Sequence, residues 1–430
     1  MRPTVAHVNY SFFHSTQSFI SFFLARLARV QPICLTRGRE SPAISGAIPP
    51  ALAGDFYVYP GPPSRRESAL WSGGLAVRHS LTRLPPRVAD PALSLLNRRV
   101  VPRLRSDADP HAFLDWAEEI LRRRDARIIH AYFGPVAWRM LDLKRRLGLP
   151  LVVTFLGDDI APVLAPWWSW WIQNGSGPPD WPARLRELCE EADLLLVEGP
   201  FLRERLLELG APPEKLQVQR FGVPLDRIPF RARQPRDDGK TVVVFAGRFC
   251  EQKGILYALE AVRALRADRD VELRLIGDDT MTDGSYAAEV HAAIRAHRLQ
   301  DCVRLLGFMN WADCLRELDR GDLFLHPSVF DADGRGEGGA PTTIIEAQAL
   351  GLPVVSTVHC DIPNVTLPGE SAILVPERDV GALVDALRLL VDEPGRWEPM
   401  GRAGRRHVEE LHDIDKETRA LEDRYLALLA

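Results

Sequence analysis

Two cationic side chains, Arg248 and Lys253, flank a strand-to-helix turn in the run Val242-Val-Val-Phe-Ala-Gly247-Arg248-Phe-Cys-Glu-Gln-Lys253-Gly254-Ile. An apolar strand running into Gly247 presents Arg248 at its carboxyl end and Lys253 where the next helix starts. Arginine offers a planar two-pronged fork to phosphate and lysine a compact point charge, so the two can converge on one polyanion. The chain holds only five lysines (Lys144, Lys215, Lys240, Lys253 and Lys416), which sets Lys253 apart from generic surface charge. A second run, Glu337-Gly-Gly-Ala-Pro341-Thr-Thr-Ile-Ile-Glu346-Ala-Gln-Ala-Leu-Gly351, places one carboxylate in a loop and another in a helix. Pro341 suits the first turn of that helix and Gly351 its end. The unpaired N–H groups of such a helix start favour phosphate, and carboxylates can accept hydrogen bonds from sugar hydroxyls in pairs.

Other motifs fail on context. Gly334-Arg-Gly336-Glu-Gly338-Gly339 matches GxGxxG, but the preceding strand ends near His326, too early for a dinucleotide fingerprint. Gly239-Lys240-Thr241 resembles the end of a P-loop but precedes its strand and lacks the earlier glycine. Asp331-Ala-Asp333 reads as a solvated turn rather than a divalent-cation pair, and the eleven histidines show no metal-ligand spacing. The six cysteines form no CxxC pair, so neither structural zinc nor a disulfide framework is expected.

Strands and helices must position these groups. Apolar runs at Val5–Asn9, Ile33–Thr36, Phe56–Tyr59, Ile128–Phe133, Leu151–Leu156 and Leu194–Val197 continue with Val242–Ala246, Leu273–Ile276, Val303–Leu306, Leu323–His326, Val354–Ser356 and Ile373–Val375. Their nearly continuous hydrophobicity, separated by helix-like stretches, predicts an α/β fold of parallel sheets covered on both faces. A Pro- and charge-rich segment at 224–240 predicts a boundary and hinge. Arg402 to Ala430 reads as one amphipathic helix beyond the last strand, long enough to return to the first lobe.

Composition agrees. The 430 residues are 46% hydrophobic and 26% charged with a net charge of −4, which suits a globular chain of two domains and not a nucleic-acid binder. Residues 1–200 carry +5 and residues 201–430 carry −9, so two lobes with different partners are expected. No apolar run is long enough for a membrane span and no secretory signal is evident, which points to the cytoplasm. Seven arginines at 78–105 and Trp-Trp-Ser-Trp-Trp at 167–171 would suit an anionic lipid surface, or else be loop packing with solvated arginines.

The segments resemble glycosyltransferase family 4 over nearly the whole chain, nearest to colanic-acid-type exopolysaccharide transferases. Gly247-Arg248 with Lys253-Gly254 is similar to the family's diphosphate clamp, and Glu337 and Glu346 to its paired glutamates. His130-Ala-Tyr-Phe-Gly134, Glu198-Gly-Pro-Phe-Leu-Arg-Glu-Arg-Leu, Arg220-Phe-Gly222-Val-Pro-Leu-Asp226, Leu305-Leu-Gly307-Phe and Asp322-Leu-Phe-Leu-His-Pro327-Ser328 resemble further family segments. The resemblance implies the GT-B fold, two facing Rossmann-like domains about a deep cleft. An acceptor domain would take in 1–225 with a C-terminal helix at about 408–430, and a donor domain 226–407. It implies retaining transfer from a nucleotide diphosphate sugar to a glycan or polyprenyl-linked hydroxyl at the inner membrane face, with no metal or other cofactor. Arg248, Lys253 and Glu337 would be catalytic, and Gly247, Gly277, Gly338, Gly339, Ala340, Pro341, Thr342 and Glu346 would bind the donor. An epimerase of the same fold and a non-catalytic nucleotide-sugar-binding protein are the alternatives.

Three departures from the family stand out. Glu337 and Glu346 enclose one residue more than usual. Leu156 stands where relatives carry a sugar-positioning histidine, which leaves His130, Asp158 or Asp159 as replacements. Asn364 occupies a position commonly held by Glu.

Overall fold

A computed structural model describes residues 2–9, 18–36, 54–59, 110–157, 159–160, 180–278, 285–332, 334–339 and 341–430. Two sheets dominate it. The first has seven strands in the order β3-β2-β1-β4-β5-β6-β7: β1 (Thr4–Val8), β2 (Gln31–Thr36), β3 (Phe56–Val58), β4 (Ala126–Tyr132), β5 (Leu151–Phe155), β6 (Leu194–Val197) and β7 (Leu216–Val218). The second has six in the order β10-β9-β8-β11-β12-β13: β8 (Thr241–Ala246), β9 (Val271–Ile276), β10 (Val303–Gly307), β11 (Leu323–His326), β12 (Val354–Thr357) and β13 (Ala372–Val375). The pairings between neighbouring strands in both sheets are parallel.

Each of the twelve apolar runs became a strand, and β8 shows why. Val243 and Phe245 enter one hydrophobic cluster while Val244 and Ala246 enter another on the opposite face, so no position faces water. A strand buried on both sides must be apolar at every residue. The run missed was β7, three residues long with exposed Gln217, too short and polar to stand out.

In each sheet the first strand is central and the chain then turns back outward, with the reversal between β1 and β4 and between β8 and β11. Crevices at the carboxyl ends of strands flanking such a reversal are where ligands of open parallel sheets bind.

The segment predicted as a loose hinge is largely fastened down. Arg233 is 1% exposed, and its guanidinium donates to Asp319 Oδ1 (2.9 Å) and to the carbonyls of Gly321 (3.1 Å) and Leu350 (2.7 Å). Arg236 pairs with Asp322 at 2.7 Å. Residues from 231 onward therefore belong mechanically to the second sheet, which narrows the hinge to the stretch before them.

The expected C-terminal helix is two helices, Trp397–Leu411 and Ile414–Leu429. They part at Asp413, whose side chain caps the second by accepting from Asp415 and Lys416 N–H groups. Val408 joins a cluster of the second sheet, whereas Ile414, Leu421 and Tyr425 join the core of the first. The crossing is tied by Val223, whose N–H donates to His412 O (2.8 Å) and whose carbonyl accepts from Ile414 N–H (3.3 Å).

Candidate active site

The carboxyl ends of β8, β9 and β11 meet at a knot of close backbone approaches. Gly254 (φ 66°) follows Lys253, and a Cβ there would collide with the Pro327 carbonyl after β11. A Cβ on Gly247 would lie 3.5 Å from both Lys253 Cδ and His326 Cε1, so the lysine stem runs directly beneath it. These contacts bring the post-β8 turn against the end of β11, at the topological reversal.

Glu337 sits at the centre. Its carboxylate pairs with Lys253 through one oxygen; the other accepts from Ser328 Oγ at 2.7 Å and lies 3.2 Å from His326 Nε2. Both members of the ion pair are buried, at 12% and 5% side-chain exposure. Burial by itself would raise the Glu337 carboxyl, but Lys253 and His326 outweigh it and hold the group well below the usual carboxylate range. His326 is stacked between Phe245 and Phe324, with centroids at 5.2 and 5.8 Å, which locks its ring plane.

Lys253, read from sequence as a cation for a polyanion, is the counter-ion of Glu337. Burial raises the Cys250 thiol, and the charges of Arg248 and Lys253 both pull against that rise.

Glu346 lies apart from Glu337, within the helix Thr342–Ala349 that begins just after Pro341. Its carboxyl is 5% exposed and accepts from Trp311 Nε1 at 2.6 Å. Trp311 in turn meets Phe22 edge-on at 4.9 Å and the Arg227 guanidinium at 4.6 Å. One indole therefore joins the second sheet's glutamate to a helix of the first lobe.

The lobes touch along the Glu337 loop. Gly157 (φ 93°) and Gly338 (φ 82°) meet backbone to backbone, and a Cβ on either would strike the other. A Cβ on Gly339 would collide with the Glu198 carboxylate of the first lobe. Asp361 of the second lobe accepts from Phe201 N–H at 2.9 Å, capping the helix Pro200–Glu208 across the divide.

Comparison with known proteins settles the family. The "Glycosyl transferase 4-like domain" model matches residues 56–222 and "Glycosyl transferases group 1" matches residues 226–407. A putative colanic acid biosynthesis glycosyltransferase of Escherichia coli is 31% identical over 298 residues, 68% of each chain. The chain belongs to the group 1 glycosyltransferases. A putative colanic acid biosynthesis glycosyltransferase of Salmonella typhimurium is 35% identical, and the match spans 61% of this chain and 61% of that relative's length. HepE of Anabaena, solved with UDP and glucose, superposes with a TM-score of 0.69 at 14% identity over 98% of both chains. The two facing parallel sheets are the GT-B fold, as the resemblance implied.

Two sequence candidates are engaged in other contacts. His130 is 1% exposed, with Nδ1 at 2.5 Å from Tyr425 Oη and Nε2 at 2.7 Å from Thr154 Oγ1. Burial, with neighbouring His7, keeps its pKa well below the usual histidine value. It pins the last helix to the first sheet and has no nitrogen left for a sugar. Asp159, also 1% exposed, accepts from Gly134 N–H (2.9 Å) and Leu156 N–H (3.2 Å). It braces the Leu156–Gly157 turn that meets Gly338 rather than reaching a ligand. Asp158, Ala340 and the stretches 78–105 and 167–171 lie outside the described residues.

Sequence reasoning missed Ser328 and His326 as partners of Glu337, and Trp311 as the partner of Glu346. The Asp322–Ser328 run was legible as a motif, but nothing in it names the acceptor. Trp311 carried no signal beyond its type.

Glu346 makes a testable pH dependence. Burial raises its pKa to about 7, opposed by the Trp311 hydrogen bond. A carboxyl raised on folding binds more protons folded than unfolded, so stability falls as pH rises from about 4.5 to 7 and is flat above that. Glu346→Gln keeps an acceptor for Trp311 and should remove this decline, worth about 3 kcal/mol. Denaturant midpoints of both proteins from pH 4.5 to 8 check it, and parallel curves would refute it.

Proposed function

We propose that this chain transfers a sugar from a nucleotide diphosphate sugar to a hydroxyl, with retention at the anomeric carbon, in the assembly of a surface polysaccharide. The carrying observation is the Lys253–Glu337 pair at the reversal of the second sheet, on the loop where Gly338 meets Gly157. In this reading Arg248 and Lys253 receive the leaving diphosphate, where charge builds most in the transition state. Glu337, kept ionised, accepts from the donor sugar's hydroxyls, and Glu346 from the ribose once Trp311 gives way. Gly247, Gly277, Gly338 and Gly339 keep side-chain bulk away from the ligand, and Pro341 and Thr342 open the helix beside it.

The colanic acid relatives support an exopolysaccharide product, and HepE, solved with UDP and glucose, supports a nucleotide-sugar donor. The finer acceptor reading, a polyprenyl-linked glycan at the inner membrane face, rests on the Arg- and Trp-rich stretches. No helix of the described residues is long and apolar enough to cross a membrane. Metal independence belongs to the same reading, since fixed cations supply the charge a divalent ion would bring.

A panel of UDP-, GDP- and ADP-sugars tests the proposal by thermal shift. One donor at a hundredfold excess over its Kd should stabilise the chain by about 2.7 kcal/mol. The same donor should release its nucleotide diphosphate in the presence of an acceptor pool, with no loss in EDTA. Stabilisation by none of the panel, or binding without release against any acceptor, would remove the assignment.

A further inference from the structure

The Glu337 loop is held from behind by two groups that no step above employs. The Glu337 main-chain N–H donates to His359 Nε2 at 3.1 Å. The other ring nitrogen, Nδ1, lies 2.7 Å from Glu377 Oε1, while Glu377 Oε2 accepts from Phe330 N–H at 2.9 Å. A main-chain N–H can only donate, so Nε2 must carry the lone pair and the ring proton must sit on Nδ1, facing a carboxylate that accepts. Two obligate partners therefore dictate the tautomer. Cys360 Sγ lies 3.1 Å from the same Nε2.

The ring is also wedged sterically. His359 has 0% side-chain exposure, its centroid is 4.5 Å from that of Phe330, and a Cβ on Gly336 would come within 2.8 Å of both rings. The imidazole is thus pressed against the loop backbone one residue before Glu337.

We propose that His359, held in its Nδ1–H tautomer by Glu377, is a positioning residue that fixes the main chain at Glu337 and so the place of its carboxylate. The inference rests on the reading of Glu337 as the donor-sugar contact. Its reason lies in what ligand binding would do. Lys253 is the strongest anchor of the Glu337 side chain, and a diphosphate would compete for it. The bond to His359 lies on the main chain, out of reach of that competition, and would keep the carboxylate in register when the ion pair loosens.

Hydrogen–deuterium exchange and turnover test this on the full chain. His359→Phe keeps a ring without its nitrogens, and His359→Gln offers an oxygen in place of Nε2. In His359→Phe the amides of residues 336–339 should exchange at least about tenfold faster. Release of nucleotide diphosphate from the best UDP-, GDP- or ADP-sugar should fall about 10- to 100-fold in kcat with KM within about threefold. His359→Gln should restore both. Glu377→Leu, at a carboxylate 23% exposed, loosens the ring from its outer end and should act in the same direction by about 3- to 10-fold. Wild-type exchange in His359→Phe and Glu377→Leu overturns the proposal, as does wild-type kcat in both beside an inactive Glu337→Gln. Full activity in Glu337→Gln would instead sink the functional reading, and this inference with it.

Discussion

Lys253→Ala should lower turnover by about 10²- to 10³-fold, the cost of removing one preplaced donor from a developing negative charge. The same change should destabilise the fold by about 3–5 kcal/mol, because it leaves a buried carboxylate without its counter-ion. The two effects come from one atom but separate experimentally. With Lys253 gone, the largest of the groups that offset burial at Glu337 is lost and its pKa rises. Stability that the wild-type pair lends above the ordinary carboxylate pKa, and loses only as pH falls through the depressed one, would then be missing at neutral pH. Lys253→Ala/Glu337→Gln removes the uncompensated charge, so it should recover much of the stability and none of the turnover. Denaturant unfolding and nucleotide diphosphate release on the single and double variants complete the cycle. Arg248→Ala is expected to lower turnover over the same range. Near-wild-type kcat in either single variant would remove the diphosphate from this site.

Gly338→Ala and Gly157→Ala form the second large expectation. Each methyl would enter the other lobe's backbone, so the lobes must part by about 1 Å, a displacement able to cost about 10²-fold when reacting groups sit on opposite sides. Both glycines also have positive φ, which strains an alanine by about 1 kcal/mol or more. Gly210 separates the two causes: its φ is 92°, and a Cβ there meets nothing within 4 Å. Gly210→Ala should therefore lose comparable stability and no turnover. For the cleft variants, kcat should fall while donor affinity, set within the second lobe, changes little. Equal kinetics for Gly338→Ala, Gly157→Ala and Gly210→Ala would show that the closure seen here is not the reactive one.

Much of the scaffold was legible because it is written locally. Strands buried on both faces leave unbroken apolar runs, and Pro341 and Gly351 bracket the donor-side helix through their own backbone preferences. The break at Asp413 was readable in principle as an N-cap, yet the hydrophobic stripe runs through it, because two helices packing on different lobes can share one heptad-like pattern. His130 and Asp159 read as candidates for a related reason. A polar residue in a buried strand or turn looks like a site from its type alone, and only its neighbours reveal that Tyr425, Thr154 and Gly134 already satisfy it.

Residue order by itself determined the fold class, the family and the types of side chain available for chemistry at 248, 253, 337 and 346. Only the tertiary structure decided that Lys253 meets Glu337, 84 positions away, and that Glu346 meets Trp311 instead. It alone set two glycines face to face across the cleft and put His359 behind the loop. The division has a physical cause. Backbone propensity and burial act over a few residues, whereas the partner of a charge is set by which strands lie side by side. In a parallel sheet that adjacency is created by long crossovers, which leave no mark on the residues they bring together.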